Sequence, residues 1–150
     1  MASGEFTIDV IGDGFRDVHA NIRKLIEGLD REALNWRPHP DANSIAVLIN
    51  HTLGSEREML AAVRGVSVPR DRESEFVVEA DAPDLEAMLT LADSWLDEQL
   101  GAMKPQDLTA DRSRGGRGPR PGLVWMVTNY GHAREHLAQM ELTKQLYEGR

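Results

Sequence analysis

The chain's chemistry must come largely from five histidines, His19, His39, His51, His132 and His136, because it contains no cysteine. Without thiols there is no thiolate nucleophile, no cysteine zinc site and no iron–sulfur cluster. Any metal binding falls to histidine and oxygen ligands, and any reactive thiol has to be borrowed. His132 and His136 stand in an H-x-x-x-H pattern. Residues four apart share one helix face, so two imidazoles there can share an ion. At about 100° per residue, Trp125, Asn129, His132, His136, Gln139 and Thr143 fall in one sector. That sector carries no lysine, arginine or carboxylate. A polar but uncharged stripe suits the lining of a pocket. It suits equally a polar seam whose histidines hydrogen-bond across a bundle. His51 is a third candidate, with Val47, Leu48, Gly54 and Ser55 on neighbouring turns leaving space beside its ring. It joins the pair only if its helix lies against the last one. Three neutral histidines would then leave a metal with open positions, the catalytic pattern. His39, between two prolines, and His19 read as uncommitted.

Two other metal motifs are excluded by the letters. A di-iron bundle needs Glu-x-x-His twice, but Arg16, Trp36, Leu48, Asn129 and Ala133 stand three residues before the five histidines. His132-Ala-Arg-Glu135-His136 matches the H-x-x-E-H pattern of inverted zinc peptidases. Only 14 residues follow His136, too few for that family's distant third ligand, so Glu135 reads as a surface or packing carboxylate. A second distinctive stretch, residues 112–121, carries Arg112, Arg114, Arg117 and Arg120 among glycines and prolines. It reads first as a flexible solvated loop. The sharper reading is that Arg114, Arg117 and Arg120 grip carboxylates or phosphate-like groups of an anionic cosubstrate at the pocket mouth.

The elements that would position these residues are helical. Phe15, Val18, Ile22, Leu25, Ile26 and Leu29 recur at spacings of three and four, predicting a helix from about Gly14 to Leu29. Trp36-Arg37-Pro38-His39-Pro40 stops any helix. Asn43 or Ser44 can cap a second helix through Ile45, Leu48, Ile49, Thr52, Met59, Leu60 and Val63, with Gly65 just beyond its end. Residues 66–80 read as a connector, with Phe76-Val77-Val78 as at most a short extended piece. A third helix starts at Asp81, with Pro83 and Asp84 in its first turn, and ends at Gly101. Residues 102–122 form a long connector. A fourth helix, Leu123 to about Tyr147, would be about 37 Å long. Four such helices without a strand-rich span predict an all-α four-helix bundle, and 150 residues fit a single domain spanning 1–150.

Composition narrows the partners. The net charge is −8, with 41% hydrophobic and 28% charged residues. An acidic chain of this kind argues against nucleic acid or an anionic membrane as the main partner. No apolar run approaches the roughly 20 residues of a membrane span. The first residues, Met1-Ala2-Ser3-Gly4-Glu5-Phe6, lack a signal-peptide layout, so a cytoplasmic location is expected.

Two ordered stretches resemble the DinB/YfiT-like superfamily of metal-binding four-helix bundles. Trp36-Arg37-Pro38, followed by Asn43-Ser44-Ile45-Ala46-x-Leu48-x-x-His51, resembles the family's second-helix entry, where Ser-Ile leads to a first histidine ligand. His132-x-x-x-His136-x-x-Gln139 resembles its last-helix signature, with Ala138 where the family usually has glycine before Gln139. The resemblance covers most of the chain, including the 81-residue step from His51 to His132. It implies a bundle with a long cross-connection and a divalent ion (zinc, nickel or iron) held by His51, His132 and His136. It also implies a metal-dependent transferase using a low-molecular-weight thiol of the bacillithiol or mycothiol type, and a homodimer. Gln139 or Asn129 would orient a ligand, and Trp36 or Trp125 would wall the pocket or fill the core. The rival readings are a non-enzymatic, stress-related metal-binding dimeric bundle and a metal-dependent hydrolase.

Overall fold

Long helices arise here where an apolar stripe of period 3.6 meets a side-chain cap. In the computed structural model, which describes residues 3–150, α1 spans Gly4–Ile26 and Ser3 Oγ accepts the Phe6 N–H at 3.1 Å. Met1 and Ala2, the start of the segment lacking a signal layout, lie outside the described residues. The helix begins at Gly4 rather than near Gly14, because Ile8 and Gly12 extend its buried face by two turns. Gly12 and Gly14 lie within the helix. In the fold they let Leu100 and Tyr130 approach the α1 backbone, where a Cβ would lie 2.9 Å from the Tyr130 ring.

A single turn, α2 (Arg31–Asn35), precedes the proline connector. The second long helix, α3 (Ile45–Val63), starts under the Ser44 cap, whose Oγ accepts the Val47 N–H at 3.1 Å. Residues 66–80 hold one helical turn, α4 (Arg72–Glu75), and no strand at Phe76–Val78. The third long helix, α5 (Ala82–Ala102), opens with a reciprocal box in which Asp81 and Asp84 each accept the other's backbone N–H at 3.0 Å. The 102–122 connector is ordered. It contains α6 (Pro105–Thr109) and an antiparallel hairpin of β1 (Asp111–Arg114) and β2 (Arg117–Pro121), pairing Arg112 with Arg120 and Arg114 with Arg117. The last helix, α7 (Gly122–Glu148), has 27 residues.

The four long helices close around Phe15, Ile22, Ile49, Met59, Leu60, Leu85, Leu89, Leu96, Met126 and Met140, all fully buried. Each of α3 and α1 packs against both α5 and α7. The around-the-bundle order is therefore α1, α5, α3, α7. Helices successive in the chain, α1 with α3 and α5 with α7, sit on diagonals. Two crossings of the bundle end result, one carried by α2 and one by α6 and the hairpin. This is the all-α four-helix bundle with cross-connections expected from the sequence, and it lays α3 along α7.

The arginine stretch is not a solvated loop. Arg114 is buried. It donates from Nε to Glu58 Oε1 at 3.1 Å, and from Nη2 to Ser55 O at 2.9 Å and Ser55 Oγ at 2.7 Å. Arg112 donates to Val63 O at 2.9 Å and to Asp107 at 3.1 Å. A guanidinium carries five donors in a fixed fork, so two of them can pin a short hairpin to α3 where its own ladder is too short to stand alone.

Candidate metal and anion pocket

His51 projects from the middle of α3 because the Ser44 cap and the apolar run Ile45–Ile49 set the helix phase. His132 and His136 sit one turn apart on α7. The packing of α3 on α7 brings the His51 and His136 rings to 5.1 Å between centroids, nearly perpendicular, and His132 stacks 6.3 Å from His136. All three line one cavity of about 600 Å³ with Ser55, Glu58, Arg70, Arg72, Arg114 and Arg117.

Each histidine has its Nδ1 beside an oxygen. His51 Nδ1 lies 3.0 Å from Glu75 Oε1, and His136 Nδ1 lies 3.2 Å from Gln139 Oε1. His132 Nδ1 is 3.4 Å from Glu135 Oε2. A carboxylate can only accept, so the Nδ1 facing Glu75 carries the proton. Among the described residues no hydrogen bond is made by any of the three Nε2 atoms. Burial, aided by the charges of His136 and Arg70, lowers the His51 pKa despite the pull of Glu75, which keeps the ring neutral at pH 7.

Glu75 is the side chain that sequence reading missed. It is buried, and Arg70 grips both its oxygens at 2.9 Å. It lies flat against α3 at Gly54, where any Cβ would collide with its Oε2. The chain Arg70–Glu75–His51 fixes one imidazole's tautomer and orientation, as outer partners of metal-bound histidines do. Its only signal in the sequence was the glycine one turn after His51.

The donor chemistry fits a divalent ion. Two imidazoles on one tetrahedral ion have centroids about 5 Å apart, matching His51 and His136. Among the described residues no three His, Cys, Asp or Glu side chains stand close enough to ligate an ion as they are. His132 is the outlying member, and its side chain is 56% exposed, so rotation on α7 is open to it.

The other expected site residues divide. Asn129 is buried and donates to Ser55 Oγ at 2.9 Å, so it supports the pocket wall from behind. Gln139 orients His136 but lines a separate cleft with Thr143, Leu142 and Leu146. Trp125 is buried, donating to Arg112 O at 2.7 Å, and Trp36 packs edge-on against Tyr147, so neither walls the histidine pocket. Arg114 and Arg117 reach the pocket, whereas Arg120 lines only the neighbouring cleft, with Arg117, Pro119 and Thr128. The uncharged stripe of α7 therefore serves three surroundings rather than one.

His19 is also not what its sequence context suggests. It is fully buried between α1, α3 and α5, with Nδ1 2.7 Å from Asp93 and Nε2 2.9 Å from both oxygens of Glu56. An ionised carboxylate beside each ring nitrogen favours the imidazolium, which offers an N–H to both. Burial opposes that charge, but Glu56 and Asp93 outweigh it and raise the His19 pKa. His39 remains exposed, accepting the Asp41 N–H at 3.1 Å.

Among the described residues no helix is long and apolar enough to cross a membrane. No curated protein matches the sequence. Two of the solved structures that share the fold illustrate the likeness. One is a conserved protein from Enterococcus faecalis, at 17% identity and TM-score 0.78, covering 95% of this chain and 97% of that one. The other is a DinB-like protein from Bacillus cereus, at 18% identity and TM-score 0.74, covering 90% and 89%. The sequence profile of the DinB superfamily matches residues 15–140, and with that match the chain belongs to the DinB superfamily.

Proposed function

We propose that the chain binds a divalent metal, zinc, nickel or iron, through His51, His132 and His136, and transfers a low-molecular-weight thiol of the bacillithiol or mycothiol type to an electrophile. The observation that carries this reading is the trio of histidines on one cavity, each with Nδ1 beside an oxygen and Nε2 unengaged. A metal bound by neutral imidazoles keeps its charge and favours the thiolate form of a thiol near pH 7.

The protein's own residues supply the rest. Glu75 and Arg70 hold the His51 ring in one orientation, and Phe76 covers its face at 4.9 Å between centroids. Gln139 does the same for His136. The chain has no cysteine, so the thiol enters with the cosubstrate. Its sulfur bonds to the electrophilic carbon, the leaving group departs with the bonding pair, and the thiol proton goes to solvent. Hydrolysis is less well served. Glu58, the carboxylate lining the cavity, is committed to Arg70 at 3.4 Å and Arg114 at 3.1 Å, and is not free to take a proton from water.

The test is metal content after chelator stripping and reconstitution with zinc or nickel. Wild type should retain near-stoichiometric metal through dialysis, and His51→Ala or His136→Ala should lose it. A metal-free wild type overturns the first step. Metal-loaded protein mixed with bacillithiol or mycothiol and an electrophile should consume thiol faster than the protein-free control. An unchanged rate overturns the transfer.

A further inference from the structure

The guanidiniums around the histidine cavity are of two kinds. Arg70 and Arg114 are spent on Glu75 and Glu58, which they hold at 2.9 to 3.4 Å. Arg72 and Arg117 line the same cavity, and among the described residues neither forms an ion pair. Both are nevertheless placed. Arg72 Cζ lies 5.4 Å from the Phe76 ring centroid, and Arg117 Cζ lies 5.4 Å from that of Trp125. Arg117 Nε also donates to Arg114 O at 3.4 Å. Stacking on an aromatic face positions a guanidinium and leaves its charge uncancelled. Phe76 in turn stacks on His51, so Arg72 is registered to the histidines through one ring.

The charge balance points the same way. Four guanidiniums line the cavity and only Arg70 and Arg114 are paired, with Glu75 and Glu58, which leaves the charges of Arg72 and Arg117 unpaired around it. The chain as a whole carries −8. A positive concavity in an acidic protein concentrates field lines and draws small anions.

We propose that the cavity is a receptor for a small dianion, carrying two carboxylates or one phosphate group, gripped by Arg72 and Arg117 while Arg70 and Arg114 act as framework. The proposal names the substrate class for the thiol-transfer reading and rests on that reading only for what is done to the ligand. Anion capture needs no metal. Arg120 is the internal control, since it stacks on Trp125 at 5.5 Å but lines the neighbouring cleft.

The experiment is calorimetric titration of metal-stripped protein at low salt with succinate, with inorganic phosphate and with uncharged succinamide. Circular dichroism checks each variant's fold. One or both dianions should saturate, with affinity falling as salt rises, and succinamide should not bind. Binding of succinate or of phosphate assigns the dicarboxylate or phosphate class. Arg72→Gln and Arg117→Gln should each weaken binding at least about fivefold, and Arg120→Gln less than about twofold. The proposal is overturned if neither dianion saturates, if succinamide binds as well, or if either of the first two variants binds like wild type. Failed metal loading with intact anion binding removes the thiol-transfer reading alone, and the reverse result removes this proposal alone.

Discussion

Gly54→Ala separates two forces of opposite sign. In an unobstructed helix interior the added methyl stabilises by about 1 kcal/mol. Gly54 is different, because Glu75 lies on its Cα. A Cβ there collides with Oε2 and comes 2.9 Å from Cδ. Glu75 cannot turn aside cheaply, being held by Arg70 through both oxygens and by His51 Nδ1. Displacing it breaks one hydrogen bond to the ring, about 1 kcal/mol, and at least one charge-assisted bond, about 1.5–3 kcal/mol. After subtracting the helix gain, the variant should be destabilised by about 1.5–3 kcal/mol, a fall of several degrees in Tm. Urea denaturation followed by circular dichroism measures the first quantity. An NMR titration of His51 measures a second. Glu75 raises the His51 pKa against burial, so its displacement should lower that pKa further. A variant about 1 kcal/mol more stable than wild type, with the His51 titration unmoved, would refute the claim that Glu75 is clamped.

The buried His19 sets a pH dependence. Its folded pKa is raised above the unfolded value of about 6.5, so its stabilisation is complete below that value and is lost as pH rises through the folded pKa. Glu56, raised by burial, acts in the same sense. The denaturation midpoint should fall on the alkaline side, and Asp93→Asn should move that fall to lower pH. A midpoint flat from neutral to alkaline pH in both proteins would contradict the imidazolium assignment. Arg114→Ala should cost about 2 kcal/mol by leaving the Ser55 carbonyl and Glu58 short of donors, whereas Arg120→Ala should stay within about 0.5 kcal/mol. Equal effects in urea denaturation would show that the hairpin is not pinned through Arg114.

The helices were legible because their signals lie within a turn of one another. Ser44 was readable as a cap and Asp81 as the start of the third helix, and both residues cap. The start of α1 was missed because the apolar spacing was followed only from Phe15, whereas Gly12 joins the buried face through Leu100, a contact made only in the fold. The hairpin was missed because its strands lack β-branched and aromatic residues and include Asp111, Gly118, Pro119 and Pro121, poor strand formers, and are held by side-chain bonds to α3 rather than by propensity.

By itself, the sequence determined the bundle class, the absence of any thiol and the pairing of His132 with His136, because periodicity, composition and an i, i+4 spacing are local quantities. Which arginines are spent and which are free was decided only in three dimensions, as were the partners of His19 and the seating of Glu75 on Gly54. Those outcomes depend on which helices sit on the diagonals of the bundle. His19 finds Glu56 and Asp93 only once α1, α3 and α5 enclose it. His51 becomes a neighbour of His136 only because α3 lies along α7.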